Sequence, residues 1–64
     1  MVQGSQEPVV YFERIEIGTS AKMVAIDAGT GIEVTVIGPS HTSQNDLQKL
    51  ALAKLRARMA REQT

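Results

Sequence analysis

The segment from Gln44 to Glu62 reads as one helix, and it carries more than a core helix needs. At about 100° per residue, Leu47, Ala51, Leu52, Leu55 and Met59 share a broad apolar face. A second stripe, Leu50, Ala53, Ala57 and Ala60, runs along another side with 3-4-3 spacing. A chain of 64 residues offers this helix only one other element to pack on. The first face therefore covers that element, and the second stripe is an expected partner interface. The bland alternative is that alanine is the best helix former, with Leu50 as a single exposed apolar residue, which is ordinary.

The other element is β-rich. Val9 to Ile17 is a first strand, dense in β-branched and aromatic residues. Its alternation is broken: Val10 and Phe12 share one phase, while Val9, Tyr11, Ile15 and Ile17 share the other. Two readings stay open, a bulge at Glu13-Arg14 that switches phase, or burial on both faces. Gly18-Thr19-Ser20 is a tight turn and Ala21 to Asp27 a second strand. Asp27-Ala28-Gly29-Thr30-Gly31 is a hairpin signal, with Asp27 accepting backbone N–H bonds and Gly31 in a left-handed position. Ile32 to Ile37 is the third strand, and Gly38-Pro39 is expected to end it, because proline cannot donate to a ladder. Ser43 is a good N-cap, with Asp46 three residues on. The fold class that follows is α+β: a three-stranded antiparallel meander, then one C-terminal helix packed on the sheet (βββα).

Register decides which side chains share a face. A four-residue loop, Ala28 to Gly31, is favoured by the Asp-x-x-Thr-Gly spacing. It puts Met23, Ala25, Ile32, Val34 and Val36 on one face and Val24, Ile26, Thr35 and Ile37 on the other. A three-residue loop would move Val24 and Ile26 to the first face. In the favoured register both faces are partly apolar, and one helix covers only one of them.

Size sharpens that problem. A core this small supplies roughly 3–5 kcal/mol, and such folds recover stability through disulfides, a metal or oligomerisation. The chain has no cysteine and one histidine, His41. Disulfides are excluded, and no metal-ligand spacing or cofactor motif is present. Oligomerisation remains, so a homodimer is the expected state. Residues 1–7 are polar and glycine-containing, read as a disordered tail before a single domain spanning 8–63. The start has no basic n-region followed by an apolar stretch, so no signal peptide is read. No apolar run approaches the ~20 residues that span a bilayer. The expected location is cytoplasmic.

Charge is unevenly placed. Residues 1–43 carry two basic and five acidic side chains, a net of −3; residues 44–64 carry five basic and two acidic, a net of +3. Lys49, Lys54, Arg56, Arg58 and Arg61 form a candidate phosphate-contacting surface, the basis of an alternative function as a small nucleic-acid-binding protein. The zero net charge and the lack of an aromatic–basic pattern on the sheet count against it. The same charges flank the small-residue stripe, so a partner there should bring acidic groups such as Glu13, Glu16 or Glu33 of a second chain's sheet. Two constellations imitate chemistry without its context. Gly29-Thr30-Gly31 lacks phosphate-loop spacing and leads into a strand. Ser40, His41, Ser43 and Asp46 lack a water-excluding cleft. No catalytic residue is assigned, and the chain is expected not to be an enzyme.

The run Ala25-Ile26-Asp27-Ala28-Gly29-Thr30-Gly31-Ile32-Glu33-Val34-Thr35-Val36-Ile37-Gly38-Pro39, followed by Leu47-Gln48-Lys49-Leu50-Ala51-Leu52-Ala53-Lys54-Leu55, resembles a family of very short bacterial proteins catalogued only as a domain of unknown function. The likeness spans most of residues 9–59. It implies a stand-alone protein that is nearly all domain, and it brings no activity or functional residue with it. The leading functional expectation is a non-enzymatic protein-interaction module acting as a homodimer, with another protein as a further partner and no membrane contact.

Overall fold

The computed structural model describes residues 9–62. The expected tail at 1–7, and positions 8 and 63 of the expected domain, lie outside that range. Three strands, β1 (Val10–Ile17), β2 (Ser20–Asp27) and β3 (Glu33–Pro39), precede one helix, α1 (Gln44–Glu62). The strands form an antiparallel meander in the order β1-β2-β3, and α1 packs on β2 and β3. The βββα fold is the one expected.

Each connection has a local cause. Gly18 has φ 58°, and β1 and β2 pair up to Ile17↔Ser20, so the loop is only Gly18-Thr19. Glycine with positive φ at the first central position is the signature of a type II′ turn, whose twist matches that of the strands. The second loop closes when the Asp27 Oδ2 accepts bonds from the Thr30 N–H and the Thr30 hydroxyl, both at 2.8 Å. Gly31, at φ 78°, donates its N–H to the Asp27 carbonyl. This is the four-residue loop, and it sets Ala25 against Val34 and Met23 against Val36. The Asp27 carboxylate is buried, and its Oδ2 holds both Thr30 bonds.

β1 pairs with β2 in one unbroken register from Val10↔Asp27 to Ile17↔Ser20. There is no bulge at Glu13-Arg14. The strand shows apolar side chains to both faces instead. The break in its pattern has a different cause: Arg14 points to the helix side, and its guanidinium donates to the carbonyls of Ser40 (2.9 Å) and Thr42 (3.1 Å). The arginine thereby ties β1 to the β3–α1 connection across the central strand. β3 also departs from expectation by running through Gly38-Pro39. It is an edge strand, and the Ser40 N–H bonds the Thr19 carbonyl. Bonded and non-bonded pairs alternate along an antiparallel ladder, so the neighbouring pair Ser20↔Pro39 is a non-bonded one. The missing proline N–H costs no ladder bond.

The core is one cluster. Ala21, Met23, Ala25 and Val34 of the sheet meet Leu47, Ala51 and Leu55 of the helix, with Phe12, Val36 and Met59 packed around them. The helix starts where the Ser43 hydroxyl accepts the Asp46 N–H at 3.0 Å, which satisfies one of the helix's orphan donors. Asp46 in its first turn and Arg61 in its last suit the dipole.

Candidate functional site

Two surfaces remain after the core is built. The first is the face of the sheet away from α1. Alternation places Tyr11, Glu13, Ile15 and Ile17 of β1 there, with Lys22, Val24 and Ile26 of β2 and Glu33, Thr35 and Ile37 of β3. No element among the described residues covers it. Tyr11, Ile17 and Ile37 are 61%, 60% and 69% exposed. Val24 is buried there yet is not part of the helix-side core. It sits in the middle of the central strand, between Glu13 and Thr35, so its own neighbours shield it.

The second surface is a groove of about 470 Å³ between β1 and the C-terminal half of the helix. It exists because α1 lies over β2 and β3. Val10 and Phe12 form one wall, Leu52 and Met59 the other, and Arg56 adds the one basic side chain of the lining. Leu52, expected on the sheet-covering face with Leu47 and Leu55, is half-buried and turned to this groove. The opposite end of the sheet is closed differently. There Arg14 clasps the connection, and Gly38 lets Leu47 and Thr42 press close, with a Cβ position only 3.3 Å from the Leu47 Cδ2.

The residues singled out in the sequence fall in several places. Leu50, Ala53, Ala57 and Ala60 are all exposed, Leu50 at 58%, and Ala60 also borders the groove. The five helix cations differ in their surroundings. The Lys54 ammonium donates to the Thr35 carbonyl at 2.7 Å, and Arg58 pairs with Glu62 at 2.9 Å. Lys49 and Arg56 are exposed. Glu16, grouped in sequence with Glu13 and Glu33, lies on the helix-side phase of β1 and pairs with Arg14 at 2.8 Å. Of the hydrolase-like set, Ser40 and Ser43 are engaged through Arg14 and the helix cap, and His41 and Asp46 are exposed.

Among the described residues no group of three or more histidine, cysteine, aspartate or glutamate side chains is placed to hold a metal ion. No helix among them is long and apolar enough to cross a membrane. Sequence reasoning missed the groove and the Arg14 clasp. The only signal for the clasp was a charged residue on the phase of Val10 and Phe12.

No curated protein and no solved structure matches the chain. One family model does, over residues 7–62, and it therefore covers both surfaces as well as the whole βββα unit. The chain belongs to the family described as Domain of unknown function (DUF6898).

Proposed function

We propose that this protein is a non-enzymatic interaction module of the cytoplasm that works as a homodimer, joined through the open faces of its two sheets. The observation that carries this reading is the apolar band of Tyr11, Ile15, Ile17, Val24, Ile26 and Ile37 on a face that no element among the described residues covers. Face-to-face packing of two such sheets, about 10 Å apart, turns both bands into a shared core. A two-fold arrangement of this kind closes on itself.

Two other contacts are less favourable. Pairing the Leu50–Ala53–Ala57–Ala60 stripe with its copy brings Lys49, Lys54, Arg56 and Arg61 toward their equivalents. Seating the basic helix of one chain on the open face of another, where Glu13 and Glu33 lie, matches charge. That contact is head-to-tail and continues into a filament unless it closes as a ring. The sheet-to-sheet dimer closes on itself, and the charges on its face are mixed, Lys22 with Glu13 and Glu33. Three strands about 4.8 Å apart and roughly 26 Å long present a face of only about 370 Å² in projection. A face this small supports a reversible dimer, though area alone does not set affinity.

Sedimentation velocity tests the reading. The wild-type chain is expected to show a concentration-dependent monomer–dimer equilibrium. Ile37→Asp is expected to be monomeric with an unchanged far-UV spectrum, and Leu50→Asp to dimerise like wild type. A folded wild-type monomer at high micromolar concentration, or an Ile37→Asp variant that still dimerises, would falsify it. The alternative, nucleic-acid binding by the helix, is weakened by the engagement of Lys54 and Arg58 within the chain. It predicts retarded DNA or RNA in a low-salt gel shift.

A further inference from the structure

We infer that the groove between β1 and α1 is a docking site for an extended peptide. The peptide adds as a fourth strand to the free edge of β1, sends alternate apolar side chains into the groove, and places a carboxylate on Arg56. The groove is on the helix side of the sheet, whereas the proposed dimer uses the open face.

The two edges of the sheet differ. On β3, the Lys54 ammonium occupies the Thr35 carbonyl. That carbonyl points outward, because Asp27↔Ile32 is a bonded pair and Val24↔Thr35 a non-bonded one. Pro39 also lies on this edge and has no N–H to offer. Lysine and proline are the usual devices that stop an edge from pairing. The β1 edge carries neither. The Ala28 N–H bonds the Val9 carbonyl, so alternation turns the backbone groups of Val10, Phe12, Arg14 and Glu16 outward. Among the described residues no hydrogen bond from outside the sheet ladder ends on the backbone of Val10 or Phe12. Their side chains wall the groove. The same two residues therefore offer a strand-pairing edge and an apolar trough beside it. Strand addition draws affinity from the main chain and specificity from pockets for alternate side chains.

Arg56 sets the charge of the guest. It is exposed and lines the groove, whereas the groove's carboxylate, Asp27, is buried with its Oδ2 bonded to Thr30. Of the two-fold pairings with a second copy, those centred on Phe12, Glu13 and Arg14 are disfavoured, and the one centred on Ile15, which sets Arg14 opposite Glu16, is the competing occupant that the experiment separates. Two-fold pairing of β1 centred on Phe12 sets the second copy's Arg14 opposite Val10, in the groove that holds Arg56. Centring on Glu13 or Arg14 opposes like charges directly, which destabilises a strand pair.

Two displayed libraries of random ten-residue peptides test the site, one carried in an internal loop and one ending in a free C-terminus. Selection on the wild-type protein is expected to yield peptides with alternating apolar residues and a carboxylate. Recovery from the internal library identifies a side-chain acid; recovery from the free-ended library alone identifies the terminal carboxylate. Binding of the synthesised peptides should fall at least tenfold in Arg56→Glu and in Met59→Glu. It should be unchanged in Ile37→Asp, which keeps this outcome separate from that of the dimer. In amide NMR spectra the Val10, Phe12 and Arg14 signals should shift and exchange more slowly with peptide bound. No selected peptide from either library, or binding that survives Arg56→Glu, overturns the proposal. So does amide protection along Val10–Glu16 that appears with self-association alone, which would put a second copy on this edge.

Discussion

The two faces of the sheet are made of similar residues, yet only one is a core. On the helix side Met23, Ala25 and Val34 are buried under Leu47, Ala51 and Leu55. On the far side Ile17 and Ile37 are mostly exposed. The difference lies less in hydrophobicity than in side-chain size and in what lies opposite. The central strand offers Ala21 and Ala25 to the helix, which allow close approach, and keeps Val24 and Ile26 for the open side. A face built for a helix of the same chain has hollows; the other is a raised apolar band.

Substitutions that create a cavity under the helix test that contrast most severely. Leu55→Ala removes a side chain that is 1% exposed at the centre of the packing. Such losses cost about 2–5 kcal/mol. A core of this size supplies roughly 3–5 kcal/mol, so the variant is expected to be largely unfolded by circular dichroism at 25 °C. A folded Leu55→Ala chain with a normal melting curve would mean that the helix side is not the main store of stability.

The loop that fixes the faces is next. Asp27→Ala removes the acceptor of two bonds from Thr30. Hydrogen bonds to a charged group are worth about 1.5–3 kcal/mol. Thr30 is exposed, and water can replace part of the loss, so about 1.5–2 kcal/mol is expected in urea unfolding. Gly38→Ala acts where helix and sheet come closest. The added methyl lies 3.3 Å from a carbon of Leu47, which is 1% exposed and has no room to retreat. Overpacking of this kind costs about 1–3 kcal/mol, and the low end is expected for one methyl. A Gly38→Ala protein more stable than wild type would show slack between α1 and β3.

The contrast also explains what the sequence disclosed. The helix bounds, the Ser43 cap and the Asp27–Gly31 loop were legible because each rests on neighbours within a few residues. Register followed from the loop, and the composition of both faces followed from register. What stayed hidden depends on distant partners. Arg14 looked like an interruption of β1 until its bonds to Ser40 and Thr42, 26 and 28 residues away, were seen. Pro39 looked like a strand end because nothing local shows that β3 is an edge. Lys54 read as one of five cations, and only the fold brings it to the Thr35 carbonyl. The groove could not be read at all, since periodicity shows which helix face is apolar but not which strands lie beneath it.

The smallest effect on folding is expected where the contrast is sharpest. Val36 and Ile37 are consecutive in β3 and point to opposite faces, Val36 packed against the core and Ile37 69% exposed. Ile37→Thr keeps a β-branched side chain in the strand, so backbone preference is held nearly constant. Measured on dilute monomer, it should change unfolding free energy by no more than about 0.5 kcal/mol, as exposed substitutions usually do. Val36→Thr, the same kind of change one residue earlier, puts a hydroxyl against the core and should cost more. At high protein concentration the order is expected to reverse in a second observable: Ile37→Thr weakens self-association and Val36→Thr leaves it unchanged. If Ile37→Thr is as costly as Val36→Thr in dilute solution, the open face is already covered within one chain and the contrast fails. If neither changes association, the two faces differ in packing alone, and the exposed isoleucines do not join two chains.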